Sequence, residues 1–526
     1  MRDFQKPGRS AVYASEGICA TSHPLGAATA IDVLKRGGNA VDAALAGAVV
    51  LGLCEPQMTG LGGDLFALVA QSPDAEIAAI NASDRAPAAL SAQALREAGY
   101  GRMPVDKAPA VTIPGAVDGV CMLSERFGRL GLDAVLAPAI HYAEAGVPVA
   151  PRVAFDWARA TDRLQGPARD YFLLDGAAPR AGQIFRASGQ AEVLRRIAAE
   201  GRRAFYEGEV ADDMCAALAG GPHRAEDFAA NAPDWVTPIR GGYGGWEVVE
   251  QPPNAQGAAA LLLLDILAQF DLAAHAPFGA DRAHLEAEAT KLAYDARNRF
   301  LADPAHMADP YRLQRAGLGA ELAALIDPVR AMPDPAPLAE AVHRDTIYIT
   351  VVDRDRMVVS LIYSIFDSFG SGLASPRFGI LLHNRGAGFS LAPGHPNEAG
   401  GGKRPMHTII PAMVRQNGRI AMPFGVMGGP YQATGHARLI TNLATYGLDL
   451  QEALDGPRAF ADIAAGELLI ERGYDRAVWQ ALAERGHKVV ESPSAIGGAQ
   501  AIWIDHAGGI LIGASDPRKD GLALGY

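Results

Sequence analysis

The stretch HRDTIYITVVDRDRMVVSLIYSIFDSFGSG, His343–Gly372, holds the strongest β signal in the chain. Two runs rich in Val, Ile and Tyr flank the polar DRDR, which predicts a hairpin of paired strands. The residues before it have another texture. PVRAMPDPAPLAEAVHRD, Pro328–Asp345, is rich in proline and alanine without hydrophobic periodicity, and reads as an exposed, poorly packed connector. A tether thus ends, and a strand begins, at Thr346. Ser364 follows eighteen residues later, across the turn, so two hydroxyls can return close together on adjacent strands. Taken alone, Thr346 is an ordinary β residue and Ser364 a serine on a polar strand face.

The boundary also carries a chemical option. A hydroxyl is a weak nucleophile until a base takes its proton, and an N-terminal threonine can use its own α-amino group for that purpose. That amine titrates at about 7.7–8.0, near neutral pH, whereas a lysine titrates at about 10.4. Such a chain must first be cut. The Thr346 hydroxyl would attack the Asp345 carbonyl, shift the acyl group from N to O, and leave an ester for water to hydrolyse.

The rest of the chain narrows the alternatives. Its 526 residues exceed one ordinary hydrophobic core, and 49% apolar with 20% charged residues is the profile of a soluble enzyme with mixed helices and strands. A formal net charge of -12 and the lack of a basic stripe exclude nucleic acid as the expected partner. Cys19, Cys54, Cys121 and Cys215 have no CxxC spacing, which suits a reducing compartment. The N-terminal residues show no apolar signal region, and Ala40–Cys54 is too short to span a bilayer, so a cytoplasmic protein without membrane contact is expected. No HExxH helix, phosphate loop or metal-ligand cluster is visible, and neither metal nor cofactor is expected. Gly60, Gly62 and Gly63 do not fit GxGxxG and precede a strand.

Further elements follow from local signals. Gly37 and Gly38 end a helix that begins near Ala27, Asn39 caps the next, and Ala40–Cys54 is a buried helix. The middle of the chain, from about Val111 to Asp303, reads as mostly helical; QPPNAQG, Gln251–Gly257, is a proline-broken turn before an apolar helix. His284–Leu301 reads as a helix whose many charges form a solvated face of i,i+4 pairs.

Beyond these readings, the sequence resembles the γ-glutamyltransferase family of N-terminal nucleophile hydrolases along essentially its whole length. The segments that carry the resemblance include GGNAVDAALAGAVVLGLCEP, TGLGGDLFALV, QPPNAQGAAALLLLDIL, EATKLAYDARNRFLADP, SFGSGLASPRFGILLHNRGAGFS, GGGKRPMHTIIPAMV and GVMGGPYQATGHARLITNL, in this order. The resemblance implies an α+β fold, a four-layer αββα sandwich, made from a large subunit (residues 1–345) and a small catalytic subunit (residues 346–526) cut from one precursor. A dimer of such heterodimers is one assembly it allows. It implies that Thr346 is the nucleophile, that Ser364 is the supporting hydroxyl, and that the backbone N–H groups of Gly428 and Gly429 form the oxyanion hole. Backbone donors turned toward a developing oxyanion suit acyl transfer.

The positions that hold a γ-glutamyl group in the family have changed. The arginine for the α-carboxylate falls on Ser83, with Arg85 two residues on. An asparagine is replaced by Phe366, a glutamine by Arg385, an acid by Gly388, and a serine pair by His407 and Thr408. Losing buried polar contacts commonly costs about 10⁴-fold in discrimination. The expected substrate is therefore a small anionic amide without an α-ammonium group, held by Arg385, whose guanidinium suits a carboxylate in a bidentate pair. Asp64, His383 and Asn384 flank the same region. LLHNRGAGF and GVMGGPYQ look most similar to the oxamate-hydrolysing branch of the family, in which oxamate yields oxalate and ammonia in purine catabolism. A γ-glutamyl or glutathione hydrolase or transferase, a β-lactam side-chain acylase, and an unprocessed anion-binding protein remain the alternatives. The stretch SLAPGHPNEAGGGKRP is short and lacks an aromatic gate, which favours water over an amine acceptor.

Overall fold

The computed structural model describes residues 8–83, 85–333 and 346–526. Most of the connector, with Asp345, lies outside them. Two seven-stranded antiparallel sheets dominate the fold. The first runs, neighbour to neighbour, Leu522–Gly525, Ile18–Thr21, Ile347–Val352, Val358–Ser364, Asp64–Ala70, Ala78–Ala82 and Asp234–Val236. The second runs Val12–Ala14, Ile510–Ser515, Gly498–Asp505, Arg419–Met427, Ala412–Gln416, Trp246–Glu250 and Ile239–Tyr243. Both sheets mix strands from before and after the connector.

Side chains alternate across each strand with period two, so one sheet has two different faces. Ile347, Ile349, Val351, Leu361, Leu65 and Ala67 pack outward against the helices Pro24–Lys35 and Ala40–Cys54. Val352, Val358 and Leu68 turn inward and meet Val249, Met413 and Ile502 of the second sheet. The second sheet is covered on its far side by Gly257–Leu267, Ala280–Phe300 and Tyr431–Ala444. The result is the expected α+β, four-layer αββα sandwich. Ala40–Cys54 forms as expected, wholly buried, with Asn39 Oδ1 accepting from the N–H groups of Val41 and Asp42, and Asp42 accepting from the Asn39 N–H. A cap of this kind is worth about 1 kcal/mol. Among the described residues no helix is long and apolar enough to cross a membrane.

Val111–Asp303 is mostly helical as expected, and it also carries the strands Asp234–Val236, Ile239–Tyr243 and Trp246–Glu250, which complete one edge of each sheet. The charges of Ala280–Phe300 divide: Arg299 and Asp295 form the expected i,i+4 pair on the solvent side, but Arg282, His284, Glu286, Glu288 and Arg297 are buried, which corrects the expectation of a wholly solvated charged face. The i,i+4 pair Arg282–Glu286 exists at 2.9 Å, but Arg438 of Tyr431–Ala444 also pairs with Glu286 and Asn442 accepts from Arg282 at 2.7 Å. Packing against a second polar helix face, rather than water, satisfies these charges.

Gly62 and Gly63 are explained by close approach. A Cβ on Gly63 would sit 2.3 Å from the Ser364 carbonyl oxygen, and one on Gly62 would sit 2.2 Å from that of Leu381. Gly60 faces open space. Gly63→Ala is expected to lower stability by about 1–3 kcal/mol, as overpacking against fixed backbone does, and to shift Ser364. Gly60→Ala should stay within about 0.5 kcal/mol of the native chain. Thermal or denaturant unfolding of the two variants checks the contrast.

Candidate active site

The hairpin register creates the site. Ile347 pairs with Tyr363 and Tyr363 with Leu65, so Thr346, at the strand start, stands opposite Ser364, which pairs directly with Asp64. All three occupy inward-facing positions at one end of the first sheet. Thr346 Oγ1 lies 3.3 Å from Ser364 Oγ, and both residues are buried. Ser364 Oγ also accepts from the Phe366 N–H at 2.9 Å, which orients it. Phe366 holds a left-handed φ of 75°, a conformation costly for a bulky residue. Its ring covers the Arg385 guanidinium at 4.3 Å.

Behind this surface is a buried electrostatic cluster. Arg385 donates through Nε to Asp64 Oδ2 at 2.6 Å and through Nη2 to Asp64 Oδ1 at 3.0 Å. Its side-on fork is therefore spent on the protein's own carboxylate, which corrects the expectation that this bidentate edge receives substrate. Nη1 reaches Thr408 Oγ1 at 3.4 Å. His407 donates from Nε2 to Asp64 Oδ2 at 2.8 Å and accepts from the Ile409 N–H through Nδ1 at 3.2 Å. Both ring nitrogens are engaged, so His407 is a neutral strut rather than a base; burial, then the Arg385 charge, lowers its pKa to about 4. His383 Nδ1 stands 3.5 Å from Asp64 Oδ2, and its Nε2 meets the Thr112 carbonyl at 2.8 Å. Burial alone would raise the Asp64 pKa, but Arg385 and His407 outweigh it and hold the carboxyl well below its usual range.

The glycine pair lies at the end of Arg419–Met427, with φ of 122° at Gly428 and 55° at Gly429. Gly428 C=O accepts from the Tyr431 N–H at 3.1 Å, at the start of Tyr431–Ala444. In a trans peptide the following N–H points the opposite way, so the Gly429 donor is turned away from that helix. Gln256 braces the turn, donating to Gly429 C=O at 3.1 Å and Thr408 C=O at 2.6 Å, and is itself held by Arg297 at 2.7 Å. Gly428, Asp367 and Ser368 line a cleft of about 880 Å³. Asp367 is paired with Arg163 at 2.6 Å, and its N–H donates to Asn384 Oδ1 at 3.2 Å.

The remaining expected residues divide. Ser83 is buried one step behind His407: Asn254 donates to Ser83 Oγ at 3.2 Å, and Asn254 C=O accepts from the His407 N–H at 2.8 Å. Arg85 is half-exposed and turned to Asp234 and Asp303, each at 3.3 Å. Gly388 is a tight fit, since a Cβ there would meet the Met406 carbonyl oxygen at 2.9 Å. The loop around Glu398 is pinned by Arg96 at 2.8 Å and by Asn397, which donates to Gly388 C=O at 2.7 Å. Sequence reading missed Gln256 and Arg297 as braces, and Arg163 as partner of Asp367. QPPNAQG was legible only as a turn.

The chain is also similar to known proteins along nearly its whole length. Residues 26–526 match the family model described as gamma-glutamyltranspeptidase. The chain is 33% identical to the oxamate amidohydrolase proenzyme of Klebsiella pneumoniae, over 98% of this chain and 100% of that one. It is also 33% identical to the glutathione hydrolase-like YwrD proenzyme of Bacillus subtilis, over 98% of this chain and 99% of the relative. Among solved structures, cephalosporin acylase from Bacillus halodurans superposes with a TM-score of 0.93 at 38% identity, covering 100% of this chain and 99% of that one.

The Asp64–Arg385 pair yields a prediction. Asp64→Leu leaves a buried guanidinium uncompensated and should cost about 3–5 kcal/mol, whereas Asp64→Leu with Arg385→Met should recover most of that loss. Denaturant unfolding of the single and double variants measures it.

Proposed function

Because the chain belongs to the gamma-glutamyltranspeptidase family, we propose that it is made as a precursor, cuts itself before Thr346, and then acts as an N-terminal threonine amidohydrolase. The observation that carries this reading is the 3.3 Å contact between the Thr346 and Ser364 hydroxyls at the start of the inward-facing strand. Residues 1–345 form the large subunit and 346–526 the small one. Relatives named as proenzymes support the precursor.

In turnover the freed α-amine of Thr346 takes the proton from Oγ1, and Oγ1 bonds to the amide carbon. Gly428 and Gly429 donate backbone N–H bonds to the resulting oxyanion, a contribution commonly worth 10²–10³-fold per donor. The C–N bond breaks as the leaving nitrogen takes the proton. Water then attacks the Thr346 ester, its proton passing through the same amine, and releases the acid. Ser364, oriented by the Phe366 N–H, donates to Thr346 Oγ1 and holds it in line.

For substrate we propose a linear amide that bears a carboxylate and no α-ammonium group, oxamate first, in the cytoplasm. Asp64 and Asp367 are each paired with an arginine, so neither offers an unneutralised carboxylate to an ammonium. Arg385 Nη1, which lies outside the fork that Asp64 occupies and reaches Thr408 Oγ1 at 3.4 Å, is the proposed contact for the substrate carboxylate once Phe366 moves aside. One observation favours a second reading, an acylase for a larger amide: the cephalosporin acylase is similar over its whole length.

Purified protein should give two bands on a denaturing gel, at roughly two-thirds and one-third of the chain, with the smaller beginning at Thr346. Thr346→Ala should give a single band and no turnover, and Ser364→Ala should slow turnover by roughly 10²-fold. Ammonia release from oxamate, glutamine and glutathione, set beside deacylation of a β-lactam side-chain amide, separates the substrate readings. Preference for a γ-glutamyl compound would refute the assignment of the Arg385 pocket.

A further inference from the structure

We propose that His284, Glu288 and His487 form a divalent-cation site of the zinc class. His284 and Glu288 are one helical turn apart on the same face of Ala280–Phe300. His487 comes from the turn between Arg476–Glu484 and Val489–Glu491. His284 Nδ1 lies 2.8 Å from His487 Nε2, which lies 3.9 Å from Glu288 Oε1, and the three donor atoms are all within 4.8 Å of one another. All three residues are buried. Zinc with bonds of about 2.0–2.1 Å separates tetrahedral donors by roughly 3.3 Å, so the present spacings bracket the required one.

The surrounding atoms already orient these donors. His284 Nε2 faces the Asp327 carbonyl oxygen at 2.8 Å. A carbonyl only accepts, so Nε2 carries the proton and Nδ1 presents its lone pair to the cluster. Glu288 Oε2 accepts from the Met332 N–H at 2.8 Å, which aims Oε1 inward. Partners of this kind fix the ligands in metal sites. The Lys291 ammonium stands 2.9 Å from Glu288 Oε1 and donates to Met332 C=O at 2.9 Å, and so supplies the positive charge that a cation would bring.

Binding is a ligand exchange without redox change. The cation bonds to His284 Nδ1, His487 Nε2 and Glu288 Oε1, and a water takes the fourth position. His487, which donates from Nε2 to His284, moves that proton to Nδ1 through solvent and stays neutral. The Lys291 ammonium swings off Oε1 on its flexible stem. Two imidazoles and one carboxylate suit zinc better than magnesium or calcium, which favour oxygen. His284 and Glu288 precede the connector and His487 follows it, so the cation would clasp the two subunits. That consequence rests on cleavage before Thr346; the binding does not.

The test is equilibrium dialysis of the chelator-stripped full chain against Zn²⁺, with metal analysis and thermal unfolding, for the native chain and for uncut Thr346→Ala. The expected result is one zinc per chain and a raised Tm in both. His487→Gln should weaken binding by more than about 100-fold, since even outer partners cost 10–100-fold. Lys291→Met, which removes the competing ammonium, should tighten it. Should His487→Gln fail to fold, Lys291→Met still decides. The proposal is overturned by no stoichiometric zinc on the native chain, by unchanged binding in folded His487→Gln, or by unchanged or weaker binding in Lys291→Met. Zinc on a native chain that never cleaves would sink the nucleophile reading and leave this site standing.

Discussion

Register between three neighbouring strands is the constraint on which the site depends. A strand shifted by one residue exchanges its two faces, and Val358–Ser364 is fixed on both sides, by Ile347–Val352 and by Asp64–Ala70. Its outward residues Val359, Leu361 and Tyr363 belong to the helix-covered core, so a slip would bury Ser360 and Ser364 there in exchange. The cost of that exchange holds Thr346, Ser364 and Asp64 in one inward row. Gly63 supports the same row by letting its backbone approach the Ser364 carbonyl.

The end of that row is polar, between two sheets, where an unpaired charge is expensive. The structure meets this by closing the charges on one another. Asp64 takes two bonds from Arg385 and one from His407, with His383 alongside. One anion and one cation cancel, and the neutral imidazole supplies geometry rather than charge. The floor beneath the two hydroxyls is thereby rigid and nearly neutral, with Phe366 as a lid on the guanidinium. Rigidity of this kind suits a reaction in which the largest assistance comes from donors already in place.

What the sequence made legible follows the range of the forces involved. The hairpin at Thr346, the cap at Asn39 and the buried helix Ala40–Cys54 arise from neighbours in the chain, and each formed where local pattern placed it. The layer order came from resemblance. The partner of Arg385 was not legible, because Asp64 lies far away in sequence and nothing at position 385 distinguishes an internal carboxylate from a ligand's. The same holds for Arg282 and Glu286: their i,i+4 spacing is that of a solvated helix face, and only the helix Tyr431–Ala444 packed against it reverses the reading. Trp246–Glu250 and its neighbours were missed where glycines interrupt the β pattern.

The sheet order also bears on how a chain cut between residues 345 and 346 would remain one body. Ile347–Val352 sits between Ile18–Thr21, from before the connector, and Val358–Ser364, from after it. Val358–Ser364 in turn pairs with Asp64–Ala70, and in the second sheet Ala412–Gln416 pairs with Trp246–Glu250. Hydrogen-bond ladders therefore cross the 345/346 boundary in both sheets, and the inter-sheet core draws on both sides of it. A break before Thr346 removes one covalent bond at the start of a strand and none of those ladders. Separating the pieces would mean opening two sheets and the core between them, so a new terminus at Thr346 would be held where the intact chain puts it.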